Sequence, residues 1–182
     1  MIKFNIALIN QCTETEGVFK RLAIWFQGCE KQCAGCCNPE LFPFVPANIV
    51  SLGNLLEIIT NAKQKFDIEG VTYLGGEPTL QHGLAKLSKE IQSYGLGVIL
   101  FTGKQYEELP QELIGSVDLI IDGGFEKDNP DNERNLIGSK NQRIICVTDR
   151  YRDSLDWFYV PRPKREEINV TENLVITGDV II

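Results

Sequence analysis

Leu22-Ala23-Ile24-Trp25-Phe26-Gln27-Gly28-Cys29-Glu30-Lys31-Gln32-Cys33-Ala34-Gly35-Cys36-Cys37-Asn38 decides how this chain is read. The apolar run 22–26 makes a strand, which hands over at a glycine to a loop whose first three cysteines stand as C-x3-C-x2-C. Three thiolates at that spacing can hold three corners of a four-iron cluster and leave one iron without a protein ligand. Such an iron is a place for chemistry. Structural zinc asks for four ligands, and neither His82, the sole histidine, nor Cys37, strained by adjacency to Cys36, supplies an evident fourth. An electron-transfer cluster closes its coordination with four cysteines, so an open cluster uses this spacing best.

Outward from the loop, strand and helix signals alternate. Residues 1–10 read as a first strand. Leu52, Leu55, Leu56, Ile59, Ala62 and Phe66 recur at helical spacing, with Ser51 or Asn48 as the cap. The strand Val71-Thr72-Tyr73-Leu74 stops at Gly75-Gly76, and Leu80, Leu84, Leu87, Ile91 and Tyr94 predict a second helix closed by Gly95. Val98-Ile99-Leu100-Phe101 is a strand ending at Thr102-Gly103; residues 109–114 suit a short helix, and Val117-Asp118-Leu119-Ile120-Ile121 another buried strand. The polar segment 126–135 is a loop before the strand Arg143-Ile144-Ile145-Cys146-Val147, and residues 167–170 and 174–176 pair as a hairpin across Thr171-Glu172-Asn173.

Apolar strands without polar alternation, separated by helices, imply a parallel sheet buried on both faces. A full eight-unit barrel needs about 250 residues, more than the 182 present. The expected fold is α/β: an open, partial (βα) barrel of parallel strands with a C-terminal hairpin, in a single domain over residues 1–182. Ligands of such sheets gather at the C-terminal ends of the strands. The suggestive residues fall there: the cysteine loop after Trp25, Gly75-Gly76-Glu77-Pro78 after Tyr73, Thr102-Gly103 after Phe101, and Asp122-Gly123-Gly124 after Ile121.

The composition sets outer bounds. With 43% hydrophobic and 24% charged residues the chain reads as a soluble globular protein without a membrane segment or secretory signal. Six cysteines, four of them between 29 and 37, suit a metal site in the reducing cytoplasm better than a disulfide framework. The net charge of −7 argues against nonspecific nucleic-acid binding. The basic run 162–165 reads as a solvated loop, and the sequon Asn169-Val170-Thr171 carries no weight in a cytoplasmic protein. His82 reads as a cap-region or surface residue, and Cys12 and Cys146 as small buried hydrophobes.

The cysteine motif together with Gly75-Gly76-Glu77-Pro78 resembles the radical S-adenosylmethionine superfamily. Within it, Gly28-Cys29 through Cys36-Cys37-Asn38, Thr102-Gly103, Ile121-Asp122-Gly123 and Gly138-Ser139-Lys140-Asn141-Gln142-Arg143-Ile144 resemble the activating proteins of anaerobic ribonucleotide reductases, over about residues 12–180. The resemblance implies a [4Fe-4S] cluster on Cys29, Cys33 and Cys36, whose open iron takes the methionine end of S-adenosylmethionine. Reductive cleavage then releases a 5′-deoxyadenosyl radical, which the protein positions and protects. It implies cofactor contacts at Gly35, Cys37, Gly75, Gly76, Glu77, Pro78, Thr102 and Asp122, and no catalytic residue beyond the cluster ligands.

At Gly75 and Gly76 glycine lets a ligand approach the backbone and leaves amides exposed to it; read without the cysteines, the pair is a tight strand-to-helix turn. Glu77 is either an acceptor for the ligand's amino group or a first-turn helix residue. Asp122 touches the nucleoside or a cation, or ends a strand. Gly35 stands where many superfamily members have an aromatic residue; the reductase activators also have glycine there, so it marks the resemblance to that subfamily. Cys37 replaces a common tyrosine and reads as a spare thiol rather than a ligand, and Ile137 stands where the subfamily commonly has arginine.

The implied function is generation of a glycyl radical on a partner, an anaerobic ribonucleotide reductase, with a flavodoxin or ferredoxin as electron donor. Two other readings stay open: a small-molecule radical enzyme similar to carboxydeazaguanine synthases, and a metal-binding module without catalysis.

Overall fold

The computed structural model describes residues 1–160, 165–170 and 174–178. Residues 162–164 of the basic run and the hairpin turn Thr171-Glu172-Asn173 lie outside them. Seven strands form one sheet in the order β3-β1-β2-β4-β5-β6-β7. In chain order these are β1 (Lys3–Thr13), β2 (Arg21–Phe26), β3 (Asn48–Ser51), β4 (Gly70–Gly75), β5 (Gly97–Phe101), β6 (Leu119–Asp122) and β7 (Arg143–Cys146). Helix α1 (Leu52–Phe66) connects β3 to β4, α2 (Leu84–Ser93) connects β4 to β5, and the single turn α3 (Gln111–Ile114) precedes β6. A further turn, α4 (Asp156–Tyr159), follows β7, and β8 (Glu166–Val170) pairs antiparallel with β9 (Leu174–Gly178), the expected hairpin.

Four neighbours, β2, β4, β5 and β6, are parallel, and among the described residues β3 and β7 are the outermost strands of the sheet. This is the open α/β arrangement expected, with one correction: β1, β3 and β7 run antiparallel to their neighbours. The cause at β1 is the short link to β2, residues 14–20, because a parallel crossover needs a dozen or more residues. At β7, the connection returns over the same end of the sheet at which β6 finishes, so the chain re-enters in the opposite sense. The edge strand β3 replaces the alternative cap at Asn48, whose side-chain amide donates instead to the Ile6 carbonyl (3.0 Å). Ser51 is the cap of α1, its hydroxyl accepting from the Asn54 amide (3.2 Å). The second helix starts at Leu84 rather than Leu80, since Pro78–Leu80 closes a separate tight turn.

The parallel strands bury both faces. On one, Val71, Tyr73, Val98, Leu100 and Ile120 pack under Leu55, Ile59 and Ala62 of α1 and Leu84, Leu87 and Ile91 of α2. On the other, Ile99, Leu119 and Ile121 meet Val18, Ile137, Tyr151 and Phe158. Each fully buried aliphatic side chain contributes about 1.5–3 kcal/mol, and the two layers fix the strand ends relative to one another. No helix among the described residues is long and apolar enough to cross a membrane.

The N-terminal end of the parallel strands is sealed by a polar cluster. Arg21, fully buried, donates to Thr72 Oγ1 (2.7 Å), the Val71 carbonyl (2.8 Å), Glu69 Oε2 (2.9 Å) and the Tyr151 hydroxyl (2.9 Å). The Tyr151 hydroxyl in turn donates to Glu69 (2.7 Å). A buried guanidinium is tolerated only with such pairing.

Candidate active site

The cysteine loop leaves β2 pinned by its backbone. Gly28 and Cys29 donate their amides to the carbonyls of Leu41 (2.9 Å) and Phe42 (3.1 Å), and Cys36 donates to the Cys33 carbonyl (3.2 Å). Cys29 is buried, Cys33 and Cys36 are half-buried and Cys37 is exposed. Gly35 has φ +74°, and a Cβ there would stand 3.1 Å from Lys127 Cδ, so the sharp bend between the second and third cysteines favours glycine on backbone and contact grounds alike.

The residues fit a thiolate-held cluster. All six cysteines are free thiols. Burial pushes the Cys29 thiol up, opposed by the amides of Gln32 and Lys31 directed at its sulfur. The Cys37 thiol, hydrogen-bonded to Cys36, pulls Cys36 down to about 6, against burial and with help from the Asn38 amide, which lies 3.4 Å from Cys36 Sγ. The same bond pushes Cys37 up. Amide donors aimed at sulfur favour thiolate ligands and tune cluster potentials. Among the described residues no three His, Cys, Asp or Glu side chains are gathered as a single metal ion requires. A cluster that sets each thiolate on a separate iron does not ask for that convergence.

Gly75-Gly76-Glu77-Pro78 forms the plate under this loop. Gly76 donates to the Phe26 carbonyl (2.8 Å) and Glu77 to the Gly28 carbonyl (2.8 Å). This corrects the expectation that the motif's amides stand open to a ligand, because those two are engaged with the cluster loop. The glycine requirement has the same origin: a Cβ on Gly76 would lie 2.3 Å from the Gly28 oxygen, and one on Gly75 2.6 Å from the Phe26 nitrogen. The close partner is the cysteine loop itself.

Glu77 is buried and is not a first-turn residue of α2; it caps the turn that Pro78, also buried, begins. Its Oε1 accepts from the Thr79 amide (3.1 Å), Thr79 Oγ1 (2.6 Å) and Thr102 Oγ1 (2.8 Å), and its Oε2 from the Gly103 amide (2.8 Å). Glu77 therefore straps the end of β4 to the end of β5, and Oε2 retains acceptor capacity. Thr102, buried, extends the strap to β6 by donating its amide to the Ile121 carbonyl (2.9 Å).

Asp122, buried, is tied into the sheet edge. Its oxygens accept from Arg143 Nε (3.0 and 3.2 Å), from Arg143 Nη2 and from the Tyr106 amide (2.6 Å). At the end of β6 it holds β7 beside it.

Beyond Asp122, Gly124 faces the cluster loop, where a Cβ would sit 3.6 Å from Cys33 Sγ. The carbonyls of Gly123 and Gly124 accept from Gln142 Nε2 (3.1 Å) and Asn141 Nδ2 (2.8 Å). These two amides were not among the expected site residues; the Gly-Ser-Lys-Asn-Gln-Arg run was their only signal. A cleft of about 400 Å³ opens next to them, lined by Ala34, Phe125, Glu126, Lys127, Asp128 and Asn129. His82 is exposed ahead of α2. Cys12 and Cys146 are half-buried on β1 and β7, packed against the two hydrophobic layers rather than within them.

A family described as "4Fe-4S single cluster domain" matches residues 15–145. The anaerobic ribonucleoside-triphosphate reductase-activating protein of Enterobacteria phage T4 is 27% identical over 151 residues, covering 80% of this chain and 96% of that protein. The pyruvate formate-lyase-activating enzyme of Staphylococcus aureus is 30% identical over 164 residues, 84% of this chain and 65% of that enzyme. In fold, the chain is similar to QueE from Escherichia coli, with a TM-score of 0.50 at 15% identity over 66% of this chain and 70% of that one. The cysteine loop, the glycine plate beneath it and these likenesses agree: the chain belongs to the 4Fe-4S single-cluster domain family and is a radical S-adenosylmethionine enzyme that uses a [4Fe-4S] cluster and S-adenosylmethionine.

Proposed function

We propose that the enzyme is an activase that generates a glycyl radical on an anaerobic ribonucleotide reductase. The observation that carries this reading is the setting of the cysteine loop, exposed at the C-terminal end of the parallel strands. Glu30, Lys31, Gln32, Ala34, Gly35 and Cys37 are all exposed around the three ligand thiols. A radical site must exclude water and stray hydrogen donors, and a large protein substrate closes such a mouth by docking on it. The match along nearly the whole phage activator supports the same choice.

When bound, the cluster and S-adenosylmethionine supply the hydrogen-abstracting radical. Cys29, Cys33 and Cys36 would hold the cluster through their thiolates. Gly35, Gly75, Gly76 and Pro78 shape the wall by backbone, Glu77 Oε2 accepts from the ligand's amino group, and Thr102 fixes the Glu77 carboxylate. Cys37 stays a spare thiol at the rim, and Asp122 acts through the β6–β7 edge. A flavodoxin or ferredoxin delivers the electron, in the cytoplasm, where the thiols remain reduced.

The test is to mix the anaerobically reconstituted, reduced protein with S-adenosylmethionine and the reductase encoded by the same genome. A glycyl-radical doublet in electron paramagnetic resonance is expected. Formation of 5′-deoxyadenosine with no such signal on that reductase or another glycyl-radical protein would overturn the assignment.

A further inference from the structure

Beside the cysteine loop the surface changes character. Residues 41–56 carry no charged side chain, in a chain that is 24% charged. Within that stretch Phe44, Val45 and Ile49 are 66%, 51% and 52% exposed, and Pro43, Pro46 and Ala47 are exposed with them. Phe44, Val45, Pro46 and Ile49 border a hollow of about 250 Å³ that Gln27 and Leu80 also line. Single exposed apolar residues are ordinary, but a contiguous uncharged patch marks a contact surface.

The backbone of this patch is held in place. Gln27 Nε2 donates to the Pro43 carbonyl (2.8 Å), Asn5 Nδ2 to the Val45 carbonyl (2.8 Å), and the Ala47 amide to Asn5 Oδ1 (2.8 Å). Just before them, the carbonyls of Leu41 and Phe42 accept from Gly28 and Cys29. The main chain is thus fixed at alternate residues while the apolar side chains stay exposed. A partner meets a preorganised surface, and the ordering cost of binding is small.

Position selects the occupant. A Cβ on Gly28 would stand 3.0 Å from Phe44 Cδ1, so a body of protein size seated on Phe44 also lies against the cysteine loop. A second copy held there permanently would block the mouth, and an anionic membrane surface repels a chain of net charge −7. A substrate protein gains from the same overlap, because apolar contact on the patch brings its reacting segment to the thiols. We propose that residues 43–49 are the docking platform for the glycyl-radical protein and take an uncharged, apolar segment of that partner's surface. The inference rests on the activase reading.

Val45→Gln combined with Ile49→Thr tests it, two exposed changes that leave Phe44 on Gly28 and keep a β-branched residue in β3. Iron content and 5′-deoxyadenosine formation under dithionite should match the wild type. In glycyl-radical formation followed by electron paramagnetic resonance, the KM for the reductase should rise about tenfold with kcat unchanged, the scale of truncating interface anchors. Ile168→Gln removes a group of similar exposure, 61%, from the C-terminal hairpin and should leave that KM alone. An unchanged KM in the double variant, or an equal rise in Ile168→Gln, would overturn the proposal. A wild-type dimer that the double variant dissociates, with KM unchanged, would assign the platform to a second copy instead. Loss of binding to phosphatidylglycerol vesicles, with KM unchanged, would assign it to a membrane. A wild type that places a radical on no protein would overturn the activase reading beneath the proposal.

Discussion

At the N-terminal end of the parallel strands, Arg21 is fully buried with its guanidinium shared among Thr72, Val71, Glu69 and Tyr151. At the C-terminal end, three thiols sit in an exposed loop that is held almost wholly by its backbone. The first end closes side-chain hydrogen bonds on one another, so its gain is stability. The second keeps side-chain groups available and lets the main chain do the fixing, so its gain is a position for chemistry. One sheet serves both, because strand length separates the two ends while the shared core holds them rigid.

Substitutions at the two ends should therefore separate activity from stability. Cys33→Ala should carry the largest functional effect: 5′-deoxyadenosine formation under dithionite should fall to background, while the apo-protein's stability shifts by about 0.5 kcal/mol. Denaturant melts and product chromatography read the two quantities. Arg21→Met should do the reverse, costing about 3 kcal/mol because Glu69 and Tyr151 lose their buried partner. Turnover per folded molecule should be unchanged, and a large drop there would break the contrast between the ends.

Gly76→Ala lies between these cases. A Cβ that must displace the Gly28 carbonyl should cost about 1–3 kcal/mol of strain, and iron bound per chain after reconstitution should fall with it. Full iron loading would mean that the loop is not seated on this plate. The smallest effect is expected at Cys37. In the apo-protein, alkylation of Cys36 should titrate near its lowered value of about 6, since the thiolate is the reacting form. Cys37→Ala removes the hydrogen bond that lowers it, so the midpoint should move up; mass spectrometry of the alkylated peptide against pH reads it.

The strand-and-glycine rhythm made the parallel core legible, because apolar runs such as 98–101 stop at polar or glycine residues where the sheet ends. The C-x3-C-x2-C spacing was legible in the sequence and stands on the loop that follows β2. Strand direction at β1 and β7 was not, since periodicity records burial and carries no sense of direction, although the short 14–20 link constrained the first. Glu77 illustrates the limit at the site: its acceptor chemistry was visible, but Thr102 and Gly103 lie 25 and 26 residues away. For Asp122 the decisive partner, Arg143, comes from the neighbouring antiparallel strand. Gly76 was assigned to close approach correctly, with the wrong neighbour, because nothing local indicates whether ligand or main chain fills the space.

The main-chain attachment of the cysteine loop has a consequence for sequence divergence. The bonds from Gly28, Cys29 and Glu77 that seat the loop run from amide to carbonyl, so they persist whatever side chains stand at positions 30, 31, 32, 34 and 37. That rim can be rewritten to suit a new macromolecular neighbour without shifting the three sulfurs. Cys37 belongs to that rim: its side chain acts on the acidity of Cys36 but takes no part in seating the loop.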